Sequence, residues 1–121
     1  MKKIEHFYIN GQWVLPHGTG FTEVVNPANL QTCLKLPNAD EEDINAAFAA
    51  ARNAFADWST TTGEYRQRLL LKVADEMERR IPDFVDAHVE TLGIPRHQAK
   101  MVHIEAPIEA MRYFANLSPS V

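Results

Sequence analysis

The spacing of apolar residues changes its period at about residue 40. Before that point, short runs of β-branched and aromatic residues are separated by turn residues, which is typical of strands. Asn10-Gly11 separates the first two runs, and this dipeptide favours a two-residue hairpin turn because both residues tolerate positive φ. Pro27 and Pro37 follow later runs, and proline cannot donate to a strand ladder. Residues 1–39 are therefore predicted to form short strands at 8–9, 13–14, 21–25 and 32–36, beginning with a hairpin.

From residue 40 the apolar positions recur every three or four residues, as on one face of a helix. Asp40 is a suitable N-cap, and the acidic residues 41–43 that follow it suit the positive end of a helix dipole. A single apolar stripe then runs to Trp58. Such a stripe normally packs on a core, and we expect that this chain does not contain all of the surface that covers it. The stripe consists of Ile44, Ala47, Phe48, Ala51, Phe55 and Trp58.

Further helix boundaries follow from local chemistry. Thr61 and Glu64 have the spacing of a capping box at the start of a second helix. Pro82 suits the first turn of a third helix, and Gly93 suits its C-terminal end. The last helical stretch spans about 96–117, with a bend or restart expected at Pro107. We therefore expect three to four α-helices over residues 40–121.

Composition restricts the class of protein. A chain of 121 residues is normally one domain, and 45% hydrophobic residues suit a globular fold. The net charge of −4 argues against a nucleic-acid surface. The longest apolar run, Leu69-Leu70-Leu71, is too short to cross a membrane, and the N-terminus lacks the apolar region of a signal peptide. A single cysteine excludes an internal disulfide and suits the reducing cytoplasm, so we expect a cytoplasmic protein. From its charge and its apolar runs we expect no membrane and no nucleic-acid partner.

Residue types that carry chemistry are present without the spacing that catalysis needs. Cys33 lies in a predicted strand with no neighbouring base, which favours a small, half-buried apolar role over a nucleophile. The five histidines form no i, i+4 pair, and a helix would place His97 and His103 on roughly opposite sides. Gly18-Thr19-Gly20 lacks the third glycine of a dinucleotide loop, because Glu23 stands there. We predict no catalytic and no cofactor-binding residue in this chain.

Six segments in register resemble the N-terminal part of the NAD(P)-dependent aldehyde dehydrogenases. The most specific is AARNAFADW at 50–58, followed by EYRQRLLLKVAD at 64–75. The others are YINGQW at 8–13, VNPA at 25–28, CLKLPNA at 33–39 and MRYFA at 111–115.

The resemblance implies an α/β fold in which catalysis belongs to the part of the protein outside residues 1–121. Members of the family oxidise aldehydes to acids through a cysteine thiohemiacetal, hydride transfer to NAD or NADP, and a glutamate base. Those motifs lie beyond Val121. Residues 1–121 would then be a single partial domain, the N-terminal layer of the cofactor-binding domain, and inactive alone. Its partners would be the remainder of such a chain, or a second copy through exposed helix faces. The alternative is a small non-catalytic binding module that associates with a full-length relative or another protein.

Two details of the resemblance concern single residues. Some members hold a structural cation partly through the backbone carbonyl before Asn-Pro, which is Val25 here. The acidic partner usually lies just upstream of a Gly-x-Pro turn, where this chain has Thr91, with Glu90 adjacent. Leu30 replaces a glycine that is common after Asn-Pro, and we expect Asn29 to adopt the left-handed conformation in its place.

Overall fold

The computed structural model describes residues 2–120, which form two compact units divided between Thr60 and Thr61. The first unit contains the strands and one helix, and the second is helical throughout.

The first unit contains a hairpin and a separate three-stranded sheet. Strands β2 (Phe7–Ile9) and β3 (Gln12–Val14) pair antiparallel around Asn10 and Gly11, whose φ values are 53° and 76°. These positive values are those of a type I′ turn, so the predicted hairpin is present. In the second sheet, β4 (Phe21–Asn26) pairs antiparallel with β5 (Gln31–Pro37). Strand β1 (Lys2–Lys3), which the sequence pattern does not predict, pairs parallel with the other edge of β5.

The turn between β4 and β5 differs from expectation at one residue. Leu30, not Asn29, is left-handed, with φ of 58°. Its N–H donates to the carbonyl of Asn26 at 2.8 Å, while the Asn29 side chain accepts from the N–H of Gln31 at 3.0 Å. The prediction for Asn29 was therefore wrong. Its side chain bonds the residue two positions on, as in an Asx turn, and the positive φ falls on Leu30.

Helix α1 (Glu41–Trp58) begins at the predicted N-cap. The Asp40 carboxylate accepts from the N–H groups of Glu42 and Asp43 at 3.0 and 3.1 Å. The Asp43 carboxylate in turn accepts from the N–H of Asp40 at 3.2 Å. This reciprocal capping box satisfies N–H groups that have no partner within the helix.

The second unit begins with two helices, α2 (Gly63–Arg79) and α3 (Ile81–Leu92). The N-cap of α2 is Thr62, whose hydroxyl accepts from the N–H of Tyr65 at 3.2 Å, so the prediction of Thr61 was wrong by one residue. Three consecutive threonines precede this helix, and local spacing alone does not decide which one caps it. Pro82 lies in the first turn of α3, and Gly93 ends it with φ of 65°, both as predicted.

The final helical stretch changes its winding before Pro107. It consists of α4 (Arg96–Gln98), a π-helical segment (Ala99–Glu105) and α5 (Ala106–Leu117), followed by a 3₁₀ turn (Ser118–Ser120). In a regular α-helix the ring of Pro107 would clash with the carbonyl four residues earlier, at His103. That carbonyl lies in the π-helical segment, and the α-helix restarts at Ala106, as the sequence predicts.

The core of the second unit is built from small and branched side chains on every helix except α4. Its buried members are Ala74, Val85, Ala99, Ile104 and Ile108. Six partly buried apolar side chains pack against this cluster: Met77, Ile81, Phe84, Val89, Ile94 and Met111.

No helix within residues 2–120 has the length and apolar character needed to span a bilayer.

Candidate functional site

Cys33, the one thiol of the sequence, lies at an irregularity in the sheet. Val24 pairs with Leu34 and Val25 with Thr32, so Cys33 has no direct partner at this bulge. It is only 8% exposed, and its Sγ donates to the carbonyl of Val24 at 3.3 Å. A thiol that donates its proton to a carbonyl is not the thiolate that attacks an electrophile. The arrangement therefore suits a packing role.

A polar network fixes the loop that precedes α1. The carboxylate of Asp43, itself buried, accepts from the N–H of His17 at 2.9 Å and from that of Gly18 at 3.2 Å. A methyl group at Gly18 would lie 2.5 Å from the carbonyl oxygen of Asn38, so only glycine allows this approach. Asp43 thus joins the helix terminus to a loop 25 residues earlier in the chain, which sequence spacing did not reveal.

The His17 ring adds charge to this network. Its Nδ1 bonds the carboxylate of Asp40, and its Nε2 lies 3.2 Å from a carboxylate oxygen of Glu42. The hydrogen bond to Asp40, reinforced by the nearby negative charges, raises the pKa of His17 above its ordinary value. The same hydrogen bond lowers the pKa of Asp40, and the bond from the His17 N–H lowers that of Asp43. These opposite charges stabilise one another, and the network holds the loop at His17 and Gly18 against the first turn of α1.

The predicted cation ligand lies at the end of β4. Val25 is next to the bulge and immediately precedes Asn26, as the resemblance requires. In the other unit, the hydroxyl of Thr91 donates to the carbonyl of Ala87 at 2.8 Å. Across the described residues, 2–120, no group of three or more His, Cys, Asp or Glu could hold a metal ion. A cation at the Val25 carbonyl stays a prediction.

Two histidines that the sequence pattern did not connect lie close together. The ring centres of His88 and His103 are 5.7 Å apart. They are separated by 15 positions and belong to different helical segments, so neither periodicity nor motif spacing could have paired them.

The apolar stripe of α1 is largely exposed in the first unit. Phe48 and Phe55 are 73% and 66% exposed, and Ile44 and Trp58 are exposed as well. Below the hairpin turn, four alanines of α1 line an open groove of about 350 Å³ with residues 8–11. A stripe this long and this exposed is typical of a surface that another protein segment covers.

The second unit has an apolar groove of its own, between α2 and α3. Its volume is about 460 Å³, and Leu69, Val73, Met77 and Phe84 form its apolar wall. Lys72, Glu76 and Arg80 line its rim. An apolar floor with a charged rim is the form of a protein docking surface.

The short strands, the hairpin and the helices give residues 2–120 a mixed α/β architecture with exposed apolar faces. The sequence model of the aldehyde dehydrogenase family matches residues 13–121. The chain belongs to the aldehyde dehydrogenase family, as the six segments had indicated.

Individual relatives support this assignment. The chain is 34% identical over 110 residues to a 3-succinoylsemialdehyde-pyridine dehydrogenase of a Pseudomonas species, which covers 91% of this chain and 22% of the relative. The crystal structure of an aldehyde dehydrogenase from Bartonella henselae superposes with a TM-score of 0.93 at 25% identity, covering 100% of this chain and 25% of that one. Aldehyde dehydrogenase C of Pseudomonas syringae, solved with NAD⁺ and octanal, gives a TM-score of 0.90 at 28% identity, covering 94% and 24%.

The chain thus spans about a quarter or less of the length of the relatives it matches. The fold prediction is confirmed: short strands with a hairpin, then helices, as in these dehydrogenases.

Proposed function

We propose that residues 1–121 form the non-catalytic N-terminal layer of an NAD- or NADP-dependent aldehyde dehydrogenase. In this proposal they are one partial domain that packs on the remainder of the polypeptide. The family match over residues 13–121 carries the proposal. The whole protein would oxidise an aldehyde to a carboxylic acid in the cytoplasm.

The chemistry of the described residues supports the view that this layer does not catalyse oxidation itself. The family's reaction needs an activated thiolate, and the one cysteine here is buried and donates to a backbone carbonyl. The cofactor belongs to the remainder of the protein in this proposal. The bound NAD⁺ of the Pseudomonas syringae relative supports NAD as the first cofactor to test.

The exposed apolar surfaces support a covering partner. The α1 stripe and the groove between α2 and α3 place aromatic and aliphatic side chains in water. Burying apolar surface lowers the free energy by roughly 25 cal/mol per Å², so association that covers these surfaces is favourable for the isolated chain. We expect the 121-residue protein to self-associate when no dehydrogenase remainder is present.

The intact mass of the native gene product in its source cells tests the proposal. A mass about four to five times 13.7 kDa is expected, because the chain spans 22–25% of its relatives. A mass of 13.7 kDa would favour the alternative, a small binding module. In that case the purified chain should be a monodisperse monomer that unfolds cooperatively, rather than a self-associating or molten one.

A further inference from the structure

Two histidine side chains of the second unit lie side by side. His88 projects from α3 and His103 from the π-helical segment, with ring centres 5.7 Å apart and ring planes inclined by 51°. His88 is half-buried, and His103 is exposed. The two rings therefore meet at the surface, where an ion from solvent can reach them.

The hydrogen bonding of His88 determines which of its nitrogens is available. Its Nδ1 lies 2.8 Å from the carbonyl oxygen of Phe84. A carbonyl only accepts, so Nδ1 carries the proton and Nε2 of the neutral ring keeps its lone pair. Histidines that bind metals characteristically donate their other N–H to a backbone carbonyl or carboxylate in this way.

The ring separation is also close to that of two imidazoles on one ion. With zinc–nitrogen bonds of about 2.0–2.1 Å, two rings on a tetrahedral zinc ion have centres about 5 Å apart. The observed 5.7 Å is slightly longer. Small side-chain rotations close the difference, because one of the two rings is exposed and its rotamer is adjustable.

We propose that His88 and His103 together bind one Zn²⁺ ion, with water completing the coordination. No third His, Cys, Asp or Glu ligand joins the pair among residues 2–120, so water would fill the remaining positions and the ion would exchange more readily than in a closed structural site with four protein ligands. An ion held by both residues links α3 to the π-helical segment. Because it binds the folded unit and not the separated helices, it stabilises that unit. The proposal does not depend on the catalytic assignment of the whole protein.

The test uses the full 121-residue chain without a histidine tag, at a pH where imidazole is neutral. Zn²⁺ is titrated calorimetrically and against thermal unfolding, for the native chain and for His88→Gln, His103→Gln and the control His97→Gln. His97 is an exposed histidine of the same helical stretch, and glutamine at position 88 can still donate to the Phe84 carbonyl. We expect one ion per chain and a zinc-dependent rise in unfolding temperature. Each of the first two variants should weaken binding at least about tenfold, while the control binds as the native chain does.

A second measurement is independent of whether the variants fold. Long-range ¹H–¹⁵N correlation spectra of the native chain report the tautomer and metal ligation of each histidine. Saturating Zn²⁺ should shift the Nε2 resonance of His88 and one ring nitrogen of His103, and leave His97 unchanged. Equal binding by all variants, or zinc shifts spread over the other histidines, would overturn the proposal.

Discussion

Replacing Leu30 by glycine should stabilise the first unit, because this residue holds a conformation that L-amino acids avoid. Its φ is 58°, in the left-handed region, where a β-carbon approaches the following carbonyl. That conformation costs about 1–2 kcal/mol for a residue with a side chain. Glycine removes this cost but loses about 0.5–1 kcal/mol more chain entropy on folding. Leu30 is 79% exposed, so truncation removes little packing. The expected net gain is about 0.5–1 kcal/mol.

Urea unfolding followed by tryptophan fluorescence measures this effect. Both tryptophans, Trp13 and Trp58, belong to the first unit, so the signal reports on it. With a slope of about 1 kcal/mol per molar urea, the midpoint of Leu30→Gly should rise by roughly 0.5–1 M. Leu30→Ala is the matched control, because it truncates the side chain but keeps the β-carbon, and its midpoint should stay nearly unchanged. A glycine variant no more stable than the alanine variant would refute the argument from backbone strain.

Three further perturbations test other parts of the fold. Ile104→Ala should lower the free energy of unfolding of the second unit by about 2–4 kcal/mol in urea titrations, because Ile104 is 2% exposed in its core; Val102→Ala, at a position 57% exposed, should change it by less than about 1 kcal/mol. Gly63→Ala should destabilise the same unit by about 1–3 kcal/mol, since the new methyl group would lie 2.2 Å from the carbonyl oxygen of Ser118; an unchanged unfolding midpoint would show that this contact is not tight. The raised pKa of His17 means that the folded state binds more protons, so the first unit should lose stability as pH rises from the ordinary histidine pKa of about 6.5 through the raised pKa of the folded state. In His17→Gln that decline should disappear from pH-dependent thermal unfolding, and a decline of equal size would exclude the histidine as its cause.

At acid pH the same network should make the stability of the first unit change in the opposite direction, falling as the pH falls. Hydrogen bonds from His17 lower the pKa values of Asp40 and Asp43. Their contribution to the stability of the folded first unit is therefore fully present above the ordinary carboxyl pKa, and it is lost as pH falls through the lowered pKa values. The first unit should therefore be most stable between these carboxyl titrations and that of His17.

Features of this fold that depend on neighbouring residues could be predicted from the sequence. The Asn10-Gly11 hairpin, the Asp40 cap and the Gly93 helix end each follow from the chemistry of two to four adjacent residues. The restart before Pro107 follows from the missing N–H of proline and the clash of its ring.

Features that depend on distant residues could not be predicted. Strand β1 has only two lysines, and it exists because its backbone pairs with β5 some thirty residues later. The bond from the His17 N–H to Asp43 and the approach of His88 to His103 likewise join separate elements. In the turn between β4 and β5 the Asn29 side chain accepts from the N–H of Gln31 and the positive φ falls on Leu30, an arrangement that residue preferences alone misassign.

For the same reason, the sequence predicts which residues form the apolar stripe of α1 but not its exposure or the groove between α2 and α3. The apolar stripe of α1 follows from helical periodicity, but its exposure depends on what the rest of the fold leaves uncovered. The groove between α2 and α3 requires the packing of two helices, and no sequence period describes it.

The most direct test of the central claim, that this layer belongs to an aldehyde dehydrogenase but does not catalyse its reaction, is an assay of NADH formation. The purified 121-residue chain would be incubated with NAD⁺ and octanal, the pair bound by the Pseudomonas syringae relative. The account predicts no NADH above the protein-free control, for the native chain and for Cys33→Ser alike. Turnover by the native chain that Cys33→Ser abolishes would contradict it.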